Sequence, residues 1–235
     1  MKEPCMKAVV LLSGGVDSTT CLALACKEYG AHEVFALNIG YGQKHEKELA
    51  CAEKIAAYYG VQYRRMDLSQ IFMFSNCSLL QHSNVSIEHK SYAEQIHEHG
   101  EGPVSTYVPF RNGLMLSTAA AMAQSLGATE VWYGAHQDDA AGSAYPDCSR
   151  EFADAMGKAI AEGTGHELIL KAPFINSNKA GIVKTGLELG VPYELTWSCY
   201  EGGTYPCGHC GTCIDRQNAF LANGTKDPLK YADEV

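Results

Sequence analysis

The feature that most constrains the fold of this chain is a Gly-rich hexapeptide, residues 13–18, between an apolar segment and a helical pattern. Two consecutive glycines, Gly14 and Gly15, let the backbone turn tightly and expose its N–H groups. Ser18 is a favourable residue for a helix N-cap, and the N-terminus of the following helix adds positive potential. A strand, a tight turn and a helix in this order predict an α/β domain whose first loop binds an anion. The alternative is an ordinary Gly-rich connection without a ligand.

The composition of the loop indicates which anion it binds. It lacks the Gly-Lys-Ser/Thr ending of a Walker loop, so no lysine is directed at terminal phosphates. This favours a pyrophosphate cradle and cleavage of ATP between the α and β phosphates. Phosphates would repel Asp17 unless a divalent cation lay between them, which predicts Mg²⁺ here; an Asx turn is the alternative. The sequence Ser-Gly-Gly-Val-Asp-Ser resembles the signature loop of the ATP pyrophosphatase, or PP-loop, superfamily.

The charge balance argues against a nucleic-acid partner. The chain has 27 acidic and 18 basic side chains in 235 residues, so its surface on balance repels a phosphate backbone. No apolar run approaches the roughly 18–20 residues that cross a bilayer. Residues 1–7 are too short and too polar for the front of a signal peptide. We therefore expect a cytoplasmic protein with a small-molecule substrate and no membrane partner.

Apolar periodicity alternates between strand-like and helix-like segments over most of the chain. Strands are predicted at residues 7–12, 33–38, 61–67, 130–135 and 167–171, and helices at residues 19–29, 44–59, 112–126, 149–161, 179–189 and 215–221. Repeated strand–helix–strand units predict a doubly wound parallel sheet covered by helices on both faces. The fold class is therefore α/β.

Two segments depart from this alternation. Periodicity fails at residues 68–107, which we interpret as an insertion over one end of the sheet. This segment contains four histidines, and His97 with His99 would allow a metal site; solvated loop histidines are the simpler interpretation, because no cysteine or carboxylate spacing completes a tetrahedral set. After Pro192, tryptophan, tyrosine, cysteine and glycine accumulate. We predict a nucleotide-binding domain over residues 1–192 and a C-terminal segment over residues 193–235.

Four of the ten cysteines lie close together in the C-terminal segment: Cys199, Cys207, Cys210 and Cys213. Two Cys-x2-Cys steps that share Cys210 are typical of a tetrahedral zinc site with four thiolates. An iron–sulfur cluster and a reactive thiol pair for sulfur transfer are the alternatives. A site with four protein ligands has no open position, so we expect one structural Zn²⁺ that holds the C-terminal segment against the sheet. His209 lies inside the cluster and is expected to be a bystander.

Five motifs together resemble those of the 7-cyano-7-deazaguanine synthases, zinc-containing PP-loop enzymes of queuosine precursor synthesis. The motifs are residues 12–22 (LSGGVDSTTCL), 108–112 (VPFRN), 145–148 (YPDC), 178–183 (NKAGIV) and 194–199 (ELTWSC). The resemblance covers nearly the whole chain and implies an adenine nucleotide alpha hydrolase-like fold. It also implies that 7-carboxy-7-deazaguanine, ammonia and ATP give a 7-cyano product, and that the enzyme is a homodimer.

The resemblance extends nucleotide binding to the whole first motif. These residues are Leu12, Ser13, Gly14, Gly15, Val16, Asp17, Ser18, Thr19, Thr20, Cys21 and Leu22. A carboxylate is a poor electrophile, so ATP would adenylate it before ammonia forms an amide; the amide oxygen would then be activated in turn and lost to give the nitrile. The chain has no second domain large enough for a glutaminase, which indicates free ammonia as the nitrogen source.

Candidate roles beyond the loop follow from side-chain chemistry. Arg111 can form a forked pair with phosphate or carboxylate oxygens, and Lys179 can neutralise developing charge; a surface position is the alternative for Arg111. Asp138 follows a predicted strand and is expected at the ligand crevice. Asp147 could accept hydrogen bonds from a guanine-like edge with Tyr145 packed beside it, or both could belong to a polar turn. We therefore predict Asp17, Arg111 and Lys179 as catalytic.

Two other classes of function remain open from the sequence. Another PP-loop adenylating enzyme, such as a tRNA thiolase or an NAD synthetase-like amidating ligase, would use the same loop. A thiolase is expected to carry a basic tRNA surface and a catalytic cysteine pair, and the acidic balance and the saturated cysteine set disfavour both. The third possibility is a non-catalytic module that binds zinc and nucleotide.

Overall fold

The computed structural model describes residues 6–100 and 102–235; residues 1–5, and with them most of the segment tested for a signal peptide, lie outside this part. Five strands form one parallel sheet: β1 (Ala8–Leu11), β2 (Val34–Gly40), β3 (Gln62–Asp67), β4 (Glu130–Trp132) and β5 (Ile169–Lys171). The helices are α1 (Val16–Tyr29), α2 (Lys47–Tyr59), α3 (Tyr92–His99), α4 (Arg111–Ser125), α5 (Gln137–Ala140), α6 (Arg150–Gly163), α7 (Lys179–Leu189) and α8 (Gly211–Ala222).

The sheet has the order β3-β2-β1-β4-β5, and every neighbouring pair is parallel. Alternate residues of β1 point to opposite faces: Ala8 and Val10 pack with α1, α2, α7 and α8, whereas Val9 packs with α4 and α6. Helices therefore cover both faces, as the alternation in the sequence predicts. Among the described residues, no helix is both long and apolar enough to span a membrane.

Two local predictions were wrong. Ser18 is not the N-cap of α1; the helix begins at Val16 with Gly15 as its N-cap, because the Ser18 hydroxyl instead binds the backbone of the preceding turn. The fourth strand ends at Trp132, three residues earlier than expected. The segment 68–107 contains a helix, α3, which its polar composition did not reveal.

Candidate active site and metal centre

A cavity of about 950 Å³ opens at the carboxyl ends of β1 and β4. The chain runs from β1 outward to β3 on one side, and then returns to place β4 and β5 on the other side. The order therefore reverses between β1 and β4, which is where ligands bind in open α/β sheets. The loop after β1 and the segment after β4 form facing walls of this cavity.

Serine side chains hold the turn after β1 in place. The Ser18 hydroxyl accepts hydrogen bonds from the backbone N–H groups of Ser13 and Gly14 at 3.2 and 3.3 Å, and the Ser13 hydroxyl accepts one from Gly15 at 3.2 Å. Helix α1 has no side-chain cap. The first turn of α1 thus presents backbone N–H groups and the positive end of the helix dipole to the cavity, which suits an anion.

Gly14 is required by both conformation and space. Its φ of +102° is one that side-chain-bearing residues rarely adopt, and a Cβ here would lie 2.2 Å from the carbonyl oxygen of Glu48 on α2. The contact brings α2 against the turn, and the Glu48 side chain lines the cavity. Burial raises the pKa of the Glu48 carboxyl, although its hydrogen bond with Ser13 and the charge of Arg111 oppose this.

Asp17 and Lys179 form an ion pair on the cavity wall. The Lys179 ammonium donates to Oδ2 of Asp17, while Oδ1 of Asp17 is buried without a hydrogen-bond partner among the described residues. Burial alone would raise the pKa of Asp17, but Lys179 and His136 outweigh it and lower the pKa. Burial would lower the pKa of Lys179, but Asp17 and Asp139 outweigh that effect and raise it. The pair therefore stays ionised, with one carboxylate oxygen free for a ligand.

Arg111 is a second cation on the wall. Its guanidinium stacks on the ring of Tyr41, with 4.8 Å between Cζ and the ring centroid, and no carboxylate in the described part of the chain forms an ion pair with it. The residue before it, Phe110, has a positive φ of 54°, which is uncommon for a bulky side chain. A guanidinium that lines the same cavity as the phosphate loop, without a carboxylate ion pair among the described residues, is available to bind an anionic ligand.

The segment after β4 brings three polar side chains to the cavity. Gly134 packs directly on the first turn of α1, where a Cβ would lie 2.9 Å from the carbonyl carbon of Asp17. His136, Asp138 and Asp139 follow and line the cavity. The carboxylate of Asp138 accepts a hydrogen bond from the backbone N–H of Lys179 at 2.8 Å, which ties this wall to α7.

The structure places Tyr145 and Asp147 behind the wall instead of on it. Both are buried, and neither lines the cavity. The Asp147 carboxylate accepts a hydrogen bond from the backbone N–H of Asn112 at 2.8 Å, and the Tyr145 hydroxyl lies 2.5 Å from that of Thr106. Burial raises the pKa of Asp147, while the Asn112 N–H and Arg111 oppose this. Asp147 therefore contacts the first turn of the helix that carries Arg111.

The predicted nucleotide-binding motif divides into two parts. Residues on the cavity wall are Leu12, Ser13, Gly15, Val16, Asp17 and Ser18. The last four residues of the motif do not reach the cavity: the side chains of Thr19, Thr20, Cys21 and Leu22 are fully buried along α1. Thr20, for example, lies 2.8 Å from the hydroxyl of Tyr193 in the core. These four residues support the loop from behind.

The four C-terminal cysteines lie together in one cluster. The sulfur atoms of Cys199, Cys207, Cys210 and Cys213 are all within 4.8 Å of one another, and this is the one group of three or more metal-binding side chains found among the described residues. Backbone N–H groups donate to the sulfurs of Cys199 and Cys207. Such an arrangement favours thiolates and could hold a metal ion. The alternative metal site at His97 and His99 includes the side chain of His99, which lies outside the described part of the chain.

A short segment connects this cluster to the phosphate loop. The backbone N–H of Trp197 donates to the carbonyl of Gly14 at 2.9 Å, and its indole Nε1 donates to the carbonyl of Cys199 at 2.8 Å. Arg216, which is 1% exposed, pairs with Asp227 and donates to the Thr196 hydroxyl at 2.7 Å. Trp197 thus joins the cysteine cluster to the phosphate loop.

Four carboxylate or imidazole side chains of the cavity were missed from the sequence: Glu48, His136, Asp139 and Asp215. Burial raises the pKa of Asp215 to about 6, with the charge of Lys179 opposing it. Glu48 and Asp215 lie within helical patterns where a lone carboxylate indicates a solvated face. His136 follows a strand at its carboxyl end, and that position was a usable signal.

Comparison with known proteins agrees with this geometry. The model of the family described as "Queuosine biosynthesis protein QueC" matches residues 7–224. Curated proteins named 7-cyano-7-deazaguanine synthase are similar to this chain. The protein from Archaeoglobus fulgidus is 46% identical, and the match covers 97% of this chain and 92% of that protein. The protein from Caldicellulosiruptor bescii is 44% identical, and the match covers 98% of this chain and 99% of that protein. The solved NMN synthetase of Francisella tularensis shares the fold, with a TM-score of 0.52 and 16% identity over 95% of this chain and 79% of its own. The predicted α/β PP-loop fold and family are confirmed, and the chain belongs to the QueC family.

Proposed function

We propose that this chain converts 7-carboxy-7-deazaguanine and ammonia to 7-cyano-7-deazaguanine at the expense of ATP, in queuosine biosynthesis. The observation that carries the proposal is the convergence of an uncapped helix N-terminus, the Asp17–Lys179 pair and the unpaired Arg111 on one cavity. The name of the similar curated proteins supports the same activity. The alternatives from the sequence, another PP-loop adenylating enzyme and a non-catalytic module, become outcomes of the test.

In this proposal the chain's own groups bind and orient the reactants. The N–H groups of the first turn of α1 hold the phosphates of ATP, and Arg111 and Lys179 neutralise charge as pyrophosphate leaves and an acyl adenylate remains. Ammonia then displaces AMP to give the amide. The amide oxygen is adenylated in a second cycle, and loss of AMP and of both protons from nitrogen leaves the nitrile. The same site thus acts twice.

Mg²⁺ fits this cavity as the partner of ATP. The buried Oδ1 of Asp17 lacks a hydrogen-bond partner among the described residues, and Mg²⁺ prefers oxygen ligands from carboxylates and phosphates. When bound, the ion would offset repulsion between Asp17 and the phosphates. We propose that Asp138, Tyr145 and Asp147 all contribute to substrate binding: Asp138 from the cavity wall, and Tyr145 and Asp147 indirectly from behind it, Asp147 through its hydrogen bond with the first turn of α4.

The cysteine cluster fits one structural Zn²⁺. Four thiolates complete a tetrahedral shell without leaving a position for substrate, so the ion would supply stability and no chemistry. We also propose the division into a nucleotide-binding domain at residues 1–192, with the insertion at residues 68–107, and a zinc-binding segment at residues 193–235. Burial of Phe220 in the main core supports close association of the two.

We further propose a cytoplasmic homodimer without nucleic-acid or membrane partners. The net charge of −9 disfavours a phosphate backbone. Ile71, Met73 and Phe74 follow the edge strand β3 and are 55%, 54% and 93% exposed, which supports a subunit contact there. Sedimentation of the Phe74→Lys variant tests this: a shift from dimer to monomer supports the contact, and an unchanged dimer places the interface elsewhere.

Incubation of the metallated protein with the carboxylated deazaguanine, ammonium and ATP tests the function. We expect release of AMP and pyrophosphate together with appearance of the nitrile, detected by mass spectrometry. Release of AMP only with another acid or a tRNA would favour another PP-loop enzyme. Binding of ATP without any AMP release would favour the non-catalytic module.

A further inference from the structure

His136 is buried in the cavity wall without a hydrogen-bond partner. It is 2% exposed, it lines the cavity, and neither Nδ1 nor Nε2 has a partner among the described residues. Buried polar groups in proteins are nearly always paired, so an unpaired imidazole that faces a cavity indicates a ligand. The proposed role of the phosphate loop leaves this side chain unused.

The neighbours of the imidazole are carboxylates. Its Nε2 lies 3.4 Å from Oδ2 of Asp139 and 3.8 Å from Oδ2 of Asp17. The backbone fixes these positions: Gly134 allows the segment to contact α1, and the N–H of Gln137 donates to the carbonyl of Ser177 at 3.1 Å. Because Oδ2 of Asp17 already accepts from Lys179, the two atoms left to bind a ligand at this point are Nε2 of His136 and Oδ2 of Asp139.

The ligand that fits these groups is a small cation rich in N–H donors. A metal ion held by protein ligands alone is disfavoured here, because among the described residues the cysteine cluster is the only group of three or more metal-binding side chains whose ligand atoms lie within 4.8 Å of one another. Ammonium carries four N–H donors, bonds at longer distances than a metal, and is the form that ammonia takes at neutral pH. The site thus matches the nitrogen source of the proposed reaction.

We propose that His136 and Asp139 bind ammonium and that His136 removes one of its protons, an inference that rests on the proposed function. Asp139 accepts an N–H hydrogen bond, and the proton passes from ammonium to Nε2 of His136. The lone pair so freed forms a C–N bond with the acyl carbon, and the bond from that carbon to the phosphate oxygen breaks. AMP leaves with the bonding electrons, and the added nitrogen loses a second proton to give the amide.

The test compares two nucleophiles that differ in protonation. Ammonium must lose a proton before it attacks, whereas hydroxylamine is largely neutral at pH 7 and needs no base to become a nucleophile. We expect His136→Gln to lower kcat/KM for ammonium by about 100-fold or more. AMP release with hydroxylamine, and acid-dependent exchange of pyrophosphate into ATP, should change less than about 5-fold. His32→Gln is the matched control, because that side chain is 74% exposed and lies outside the cavity.

Equal loss with both nucleophiles, or loss of pyrophosphate exchange, would overturn the proposal and indicate a general effect on the cavity. No loss with ammonium would overturn it as well. If His136→Gln does not fold, the Asp139→Asn variant tests the proposal instead. Its KM for ammonium should rise about 10-fold while acid-dependent exchange of pyrophosphate into ATP stays intact. An unchanged KM for ammonium would overturn the proposed ammonium site. Failure of the wild-type chain to catalyse acid-dependent exchange would instead refute the proposed function itself.

Discussion

The cavity and the cysteine cluster satisfy their polar groups in opposite ways. In the cluster, four sulfurs lie within 4.8 Å of one another and backbone N–H groups donate to two of them. In the cavity, Oδ1 of Asp17 and both ring nitrogens of His136 lack partners among the described residues. Groups that are buried and unpaired cost free energy, and a ligand that enters the cavity can pair with those on its wall. The comparison therefore separates a structural site from a site of chemistry.

Loss of a cysteine should give the largest effect on stability. Cys210 is fully buried and is shared by the two Cys-x2-Cys steps. The Cys210→Ser variant therefore leaves three thiolates and a weakened metal site. We expect zinc content below one per chain and a free energy of unfolding lower by about 4 kcal/mol or more, because loss of a metal is among the largest single-residue effects. Metal analysis and urea denaturation measure both.

Cys26→Ser is the matched control, since Cys26 lies on α1 outside the cluster. It should retain one zinc per chain. A preparation of the wild-type chain that carries iron, or no metal, would refute the zinc assignment whatever the variants do.

Loss of a charged side chain in the cavity should lower the rate of catalysis and leave the fold intact. Asp17→Asn removes the partner of Lys179 and the free carboxylate oxygen, so we expect AMP release to fall about 100- to 1000-fold. Because the variant keeps the side-chain shape and Asp139 still faces Lys179, circular dichroism and zinc content should stay unchanged.

Asp154→Asn serves as the control, since its carboxylate is 62% exposed in a surface pair with Arg150. It should keep wild-type turnover. Undiminished AMP release by Asp17→Asn would remove Asp17 from the mechanism and weaken the contrast between the two regions.

A substitution in the turn after β1 should give a smaller effect, on the affinity for ATP, and it changes the backbone geometry without changing charge. Gly14→Ala places a Cβ 2.2 Å from the carbonyl oxygen of Glu48 at a φ of +102°, a strain of about 1–3 kcal/mol. The turn must shift, so the affinity for ATP should fall about 10- to 100-fold, as measured by calorimetry. Gly60→Ala has a similar positive φ, +68°, with nothing within 4 Å, and should bind ATP like the wild type.

The sequence predicted those site residues that lie close together along the chain and missed those that only the fold brings together. The loop and the cysteine spacing are local patterns, and each was found from neighbouring residues. Glu48, His136 and Asp215 come from α2, the end of β4 and α8, and they meet only because the strand order reverses between β1 and β4. A single sequence does not give that order, so these side chains could be placed only after the fold was known.

The wrong assignment of Ser18 has a related cause. Serine is favoured at a helix N-cap, but the Ser18 hydroxyl instead accepts hydrogen bonds from the backbone N–H groups of Ser13 and Gly14, five and four residues earlier. Closure of the turn therefore outweighed the preference for an N-cap. Tyr145 and Asp147 depend instead on contacts with distant residues, Thr106 and Asn112, which a single sequence does not reveal.

The smallest effect tests whether the two regions are coupled. Trp197 joins them, because its backbone N–H donates to Gly14 and its indole to the carbonyl of Cys199, with Lys47 stacked 4.4 Å from the ring centroid. Trp197→Phe keeps the backbone bond and an aromatic ring but loses the indole donor. The loss of one hydrogen bond, about 1 kcal/mol, should raise KM for ATP roughly 3- to 10-fold, with zinc content unchanged. Trp132→Phe, on β4, also loses an indole bond, to Glu130, and is the control. An equal rise in KM in both variants would mean that the cysteine cluster stabilises the fold without positioning the phosphate loop.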